Sequence, residues 1–343
     1  MMKYIRKLPA VEDIIFKYAL TEAQKQNRKN IIKEIEKILS GKSTKKIICI
    51  GPCSADREDA ILDYISRLAK LQERMQDKFL FIPRVYTSKP RTTGKGYKGL
   101  FHRPISSCNH DDILGGVIAM RKIHLHVIQQ TGMFCADEML YPETLQYLLD
   151  LLVYIAIGAR SVEDQGHRLV ASGVEIPVGM KNPTSGDTNI LLNAITAAQY
   201  PQTLLFGGWE VETDGNLYAH AILRGYSDLN GNMHPNYHYE NLCELYDNYQ
   251  KQNLKNIAVL IDCNHSNSKK QYTEQERIAK DVFYNCRTNQ TLNQFIKGII
   301  VESYLEDGAQ MIGEGIYGKS ITDACIGWEK TANLLEQLYD MPL

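Results

Sequence analysis

A chain of 343 residues with 44% hydrophobic and 23% charged residues can bury a sizeable core, as one large domain or two small ones. A formal net charge of -1 excludes broad attraction to nucleic acid or to an anionic membrane, so neither is an expected partner. No run of eighteen apolar residues could span a membrane, and Glu12, Asp13 and Lys17 interrupt any export signal, which predicts a cytoplasmic protein.

Residues 1–44 read as an N-terminal extension ending in the helix-like IIKEIEKIL. Short apolar strand candidates then alternate with helical patterns: Lys46–Ile50, Phe79–Tyr86, Met133–Met139, Val153–Ala159, Ile176–Lys181, Thr203–Phe206, Ile257–Cys263 and Gly298–Glu302. Between them, Ile61, Ile65, Leu68 and Leu71 make one helical stripe. Leu145, Leu148, Leu149 and Leu152 make a second, and a further helix should end at a C-cap glycine, Gly173. The Gly-, Asn- and Asp-rich stretch Gly207–Pro235 reads as an inserted β-hairpin (EVETDGNLYAHAIL) and loop. Eight strand–helix units over residues 45–343 predict an α/β fold, a (β/α)8 TIM barrel with the extension and the inserted hairpin added. A doubly wound open sheet has the same local pattern.

In a barrel, chemistry collects at the carboxyl ends of the strands. There the sequence places Cys53, Arg84, Asp137-Glu138, Arg160, Lys181, Asp262-Cys263-Asn264-His265 and Glu302-Ser303. Cys53, His265 and Glu302, with Asp323 from GKSITDACIGW, offer the S, N and O donors a divalent metal accepts. Each alone is ordinary, a core thiol or a hydrogen-bonding imidazole; convergence on one rim points to an ion that polarises a carbonyl. The eight cysteines (Cys49, Cys53, Cys108, Cys135, Cys243, Cys263, Cys286 and Cys325) have no zinc-ribbon or disulfide spacing and read as reduced thiols.

A second set is cationic. The stretch from Arg84 to Gly99 carries five cations and no carboxylate. With Arg160, Lys181 and Arg224, the residues Arg84, Lys89 and Arg91 imply more than one anionic group, two phosphates and a carboxylate. Pro90 and Gly94, Gly96 and Gly99 shape the loop toward phosphate, and Thr92 and Thr93 add hydroxyls.

IGPCS, RVY…KPRTT, YKGL, AIGAR, HR…ASG, VGMKN, ILRG, IDCNHSNSKKQ, VES and YGKSITDACIGWE, in this order from about Leu8 to Leu338, resemble class I 3-deoxy-D-arabino-heptulosonate-7-phosphate (DAHP) synthase, the aromatic-amino-acid-regulated subgroup. The resemblance implies condensation of phosphoenolpyruvate with erythrose 4-phosphate, with release of phosphate, as the first step of the shikimate pathway. It also implies a metal held by Cys53, His265, Glu302 and Asp323: one divalent ion, Mn²⁺ first, with Fe²⁺, Co²⁺ or Zn²⁺ as alternatives. Arg84, Lys89, Arg160, Lys181 and Arg224 would hold phosphoenolpyruvate. Lys89, Arg91, Thr92 and Thr93 would serve the sugar phosphate and its aldehyde, and Glu138 matches an acidic residue beside the phosphoenolpyruvate site. A homo-oligomer, dimer or tetramer, is implied as well.

Some positions depart from the family pattern. Ser88 stands where Glu is common, Pro183 and Ser185 replace Gly and Asp, and the acidic arm that helps bind the feedback amino acid is not matched, which predicts weak, altered or no feedback by aromatic amino acids. Oxidation after loss of the ion could join Cys53 to Cys325, against the plainer reading of Cys325 as a packing residue below the site. Other readings are 3-deoxy-manno-octulosonate-8-phosphate synthase, whose KANRSS differs from Lys89-Pro90-Arg91-Thr92-Thr93, and a non-catalytic sugar-phosphate sensor.

Overall fold

The computed structural model describes residues 1–91, 93–106 and 110–342; Thr92 and Cys108, both singled out above, lie outside the described residues. The strands, in chain order, are β1 (Lys46–Gly51), β2 (Phe79–Pro83), β3 (Cys135–Glu138), β4 (Leu152–Ile157), β5 (Val178–Lys181), β6 (Gln202–Phe206), β7 (Trp209–Thr213), β8 (His220–Leu223), β9 (Tyr226–Ser227), β10 (Met233–His234), β11 (Val259–Asp262) and β12 (Ile296–Glu302). Eight of them make one parallel sheet in the order β2-β1-β12-β11-β8-β5-β4-β3. β1, β4, β5, β8, β11 and β12 are buried at every residue, as parallel strands covered on both faces must be.

The sheet curls into a nearly closed barrel. Its two end strands meet beyond their ladders, where Arg84 bridges Ala136 and the Val85 N–H donates to the Ala136 carbonyl at 3.0 Å. Register fixes the level of the mouth. Gly51 lies opposite Glu302 and Ile50 opposite Pro83, so Cys53, Arg84 and Glu302 emerge together.

The helices are α1 (Val11–Lys17), α2 (Glu22–Leu39), α3 (Glu58–Met75), α4 (Ile113–Thr131), α5 (Pro142–Leu145), α6 (Gln165–Gly173), α7 (Thr188–Gln199), α8 (Tyr239–Lys251), α9 (Gln275–Thr288), α10 (Gln290–Phe295) and α11 (Trp328–Asp340). The predicted stripe Ile61, Ile65, Leu68 and Leu71 is the buried face of α3. In the extension, a Thr21–Gln24 capping box starts α2, which buries Ile32, Ile35, Ile38 and Leu39. Arg28 of α2 donates to the carbonyls of Leu149 and Leu152, both at 2.7 Å, and ties the extension to the entry of β4.

Three expectations need correction. The sixth barrel strand is β8, not Thr203–Phe206; the latter forms β6, one arm of an antiparallel hairpin with β7. That barrel strand is HAIL, which is therefore no arm of the inserted hairpin; the hairpin's arms lie earlier in the chain. The Leu145–Leu152 stripe is no continuous helix: α5 stops at Leu145, a single 3-10 turn spans Leu149–Leu151, and Leu152 already begins β4. α6 does end at Gly173, but Gly173 is its last helical residue and the cap position falls to Val174, in extended conformation.

Candidate active site

Cys53 follows β1, Glu302 ends β12, and Asp323 lies in the loop before α11. One ligand atom from each lies within 4.8 Å of the others. The Cys53 Sγ is 3.5 Å from Asp323 Oδ2. Glu302 is fully buried; its Oε1 accepts from Arg84 Nη2 at 2.9 Å and its Oε2 from Asn264 Nδ2. His265 stands beside this group, with Nε2 4.0 Å from Glu302 Oε1 and Nδ1 facing Asp262 Oδ2 at 2.9 Å. Two carboxylates and a thiol aimed at one point repel once ionised, and a divalent cation between them removes the repulsion. The donor set therefore fits such an ion. Asp262 lies behind the imidazole, on the side from which a carboxylate orients a histidine in metal sites.

The charges are poised for this. Burial pushes the Cys53 thiol up to about 11, helped by Glu302 and opposed by Lys89. Burial also works against ionised Asp323, but Lys89, His265 and Lys270 outweigh it and hold the carboxyl at about 2. For Glu302, burial is overcome by His265 and Arg84, and its carboxyl stays below the usual range. Lys89 Nζ donates to the Cys53 carbonyl at 2.8 Å and to its Sγ at 2.9 Å. Burial works against its charge, yet Cys53, Glu302 and Asp323 together raise its pKa above the ordinary lysine value.

A cavity of about 160 Å³ opens over this cluster. Six cations line it (Lys89, Arg91, Arg160, Lys181, Arg224 and Lys270) against two carboxylates, Glu138 and Asp323, with His265 beside them. Lys181, at the end of β5, is buried with its Nζ 3.5 Å from Asp262 Oδ2. Arg224 follows β8 and reaches Ser266 Oγ at 3.4 Å; burial and then the like charge of Arg160 lower its pKa, with Asp262 opposing. Arg91 is pinned by a 2.7 Å bond from its Nε to the Tyr97 carbonyl. Such a positive excess around one small space is complementary to a substrate with several anionic groups.

Of the residues read from the sequence, Cys53, Glu302 and Asp323 converge with His265 at their edge, and Lys89, Arg91, Glu138, Arg160, Lys181 and Arg224 line the same cavity. Arg84 does not line it. It is buried against Glu302 with its guanidinium 4.2 Å from the Tyr86 ring centre. Thr93 is exposed on the loop, away from the cavity lining, and Thr92 is not among the described residues. Cys325 is buried, with its thiol 3.6 Å from the Asp323 carbonyl, and burial holds its pKa well above the ordinary range. Sequence reasoning missed Lys270, 3.9 Å from Asp323. It reaches the site because His265, Lys269 and Lys270 adopt left-handed backbone angles that wind the loop back, and hydrophobic periodicity carries no trace of that.

A parallel barrel whose strand ends unite a thiol–dicarboxylate cluster with a ring of cations defines a class: a barrel enzyme for small, multiply anionic substrates. The model of the DAHP synthetase I family matches residues 21–336, and the chain belongs to that family. It is 39% identical over 345 residues to a Phe-sensitive phospho-2-dehydro-3-deoxyheptonate aldolase of Escherichia coli, covering 98% of this chain and 95% of the relative. A Trp-sensitive relative from the same species is 35% identical over 342 residues, covering 97% and 94%. Among solved structures, that of the phospho-2-dehydro-3-deoxyheptonate aldolase of Francisella tularensis superposes with a TM-score of 0.91 at 32% identity, over 99% of this chain and 98% of that one.

Proposed function

We propose that the protein condenses phosphoenolpyruvate with D-erythrose 4-phosphate to DAHP and inorganic phosphate, the entry step to aromatic amino acids and chorismate. The observation that carries this reading is Lys89, which touches the Cys53 thiol and lines the cation-ringed cavity at once. Arg160, Lys181 and Arg224 bind the carboxylate and phosphate of phosphoenolpyruvate, and Arg84 braces Glu302 from below. Arg91 takes the sugar phosphate, and the sequence motif assigns Thr92 and Thr93 to the same group.

Cys53, Glu302 and Asp323, with His265, would hold one divalent ion, which when bound would supply Lewis acidity toward the aldehyde oxygen. Mn²⁺ suits this mixed set, as do Fe²⁺, Co²⁺ and Zn²⁺. C3 of phosphoenolpyruvate then bonds to the aldehyde carbon. Lys89, protonated at neutral pH, gives its proton to the developing alkoxide. Water adds at C2, with Glu138 placed to take its proton, and phosphate leaves by cleavage of the C2–O bond. Phosphoenolpyruvate, erythrose 4-phosphate and water thus balance DAHP and phosphate.

Residues 1–44 serve as an extension to a catalytic barrel over residues 45–343. Exposed apolar residues on the β6–β7 hairpin, Leu205 and Trp209, support assembly into a homo-oligomer. No helix among the described residues is long and apolar enough to cross a membrane.

Phosphate release measured with both substrates, before and after chelation and with four- against five-carbon sugar phosphates, tests the reading. Activity that depends on the ion and prefers the four-carbon sugar is expected. Turnover indifferent to chelation, or none with erythrose 4-phosphate, would refute it.

A further inference from the structure

Behind the loop that carries Lys89, three buried polar side chains meet outside the cavity. Asp137, next to last in β3, is 3% exposed; His124 of α4 is wholly buried, and Thr87, on the loop after β2, is 1% exposed. Asp137 Oδ1 accepts the backbone N–H of Thr87 at 2.9 Å and that of Glu138 at 2.7 Å. Its Oδ2 accepts from Thr87 Oγ1 and faces His124 Nε2 at 3.3 Å. All four contacts fall on one acidic group.

This network lies at the seam of the barrel. Beyond the bridge from Arg84 to Ala136 and the bond from Val85, β2 and β3 share no ladder among the described residues. The Asp137–Thr87 pair therefore fastens one end strand to the other just where both deliver functional residues. Lys89 lies two residues beyond Thr87 and reaches the Cys53 thiol, while Glu138 is the immediate neighbour of Asp137. From the opposite side the loop is seated on Gly99, where a Cβ would fall 2.4 Å from the Thr87 carbonyl oxygen. An apolar trio of the same size would fill the space without the cost of burying a charge. Directional bonds, unlike packing, set a residue's position along the seam.

We propose that Asp137, Thr87 and His124 are positioning residues, which hold the Lys89 loop and Glu138 in fixed register across the barrel seam. The inference deepens the function proposed above and rests on it. Displacement of the loop moves Lys89 relative to the aldehyde, whereas Arg160, Lys181 and Arg224 keep their places on other strands. The effect therefore falls on kcat rather than on capture of phosphoenolpyruvate.

The test compares wild type, Thr87→Val and Thr87→Ser by phosphate release with both substrates, each protein first shown to be folded by circular dichroism. Thr87→Val should lower kcat about tenfold, as small misplacements of catalytic groups do, with KM for phosphoenolpyruvate changed less than about twofold. Thr87→Ser should restore most of that loss. Wild-type kcat in Thr87→Val, or an equal loss in Thr87→Ser, would overturn the proposal. Should Thr87→Val fail to fold, Thr87→Ala takes its place, since it keeps both backbone contacts on Asp137 and removes only the hydroxyl; the same kcat loss at steady KM is required. Wild type in the same assay separates the two claims. Absent wild-type turnover sinks the proposed function, while active wild type with an unaffected variant sinks only this inference.

Discussion

Lys89 and Cys53 make an ammonium–thiol pair in which both partners keep their protons at neutral pH, the thiol because burial lifts it to about 11. Replacing Lys89 with Met keeps the length and removes the acid, so kcat should fall about 10²–10⁴-fold, the usual worth of a positioned proton donor. Steady-state turnover of Lys89→Met reads this, and a loss under tenfold would remove Lys89 from the chemistry. The same pair dictates how a divalent ion enters. Asp323, near 2, and Glu302, held low, are already ionised, so the ion displaces about one proton, and that proton comes from Cys53. Apparent affinity for the ion should rise about tenfold per pH unit between about pH 6 and 8. Calorimetry in buffers of different ionisation enthalpy counts the protons released; a count of zero would exclude the Cys53 thiol as a ligand. Cys53, Lys181 and Glu302 were legible in the sequence because each ends or directly follows a continuous apolar run. Asp137 was visible as a neighbour of Glu138, but not its work, since nothing in one sequence says that Thr87 and His124 will meet it.

The misplaced sixth strand shows which physical signal governs an element. Thr203–Phe206 looks like a strand and is one, but its burial alternates along β6, with Leu205 80% exposed, as in a hairpin lying on the surface. The true barrel strand, His220–Leu223, is buried throughout, and its sequence hides this because it opens on an imidazole. His220 is tolerated there through two bonds: Nε2 with the Tyr154 hydroxyl on β4 and Nδ1 with the Tyr218 carbonyl, each at 2.8 Å. Burial drives its pKa down to about 4, so the ring stays neutral in the folded protein. In the unfolded chain the ring takes a proton below about pH 6.5. Stability is therefore unaffected above that pH, declines as pH falls toward 4, and is lower by about 3 kcal/mol below it. His220→Gln retains an acceptor for Tyr154 and cannot titrate. Urea unfolding at intervals from pH 7 to pH 4 should show a shallower acid decline in the variant by roughly that amount; parallel curves would mean that His220 is not the group responsible.

Over the whole molecule the charges nearly cancel, to a net -1, yet six cations crowd one barrel mouth. The barrel makes this segregation, because parallel strands deliver every carboxyl-terminal residue to the same end whatever their order in the chain. The mouth was thus predictable as a set from the strand ends, while its closure over the β2–β3 seam, built from one bridge and the Asp137 contacts, was not. A local positive field in a near-neutral protein attracts anionic substrates over a limited range. The screening length is about 10 Å at 0.1 M salt and about 3 Å at 1 M. Raising potassium chloride between these limits should lower kcat/KM for phosphoenolpyruvate severalfold, chiefly through KM, since the chemical step is shielded inside the cavity. Arg160 and Lys270, the two exposed cations of the ring, carry most of that long-range attraction. Arg160→Gln should therefore show both a higher KM and a flatter salt dependence than wild type. Initial rates at varied phosphoenolpyruvate and salt measure both quantities. Equal salt slopes in the two proteins would mean that the field is set elsewhere on the surface and that the mouth acts by contact alone.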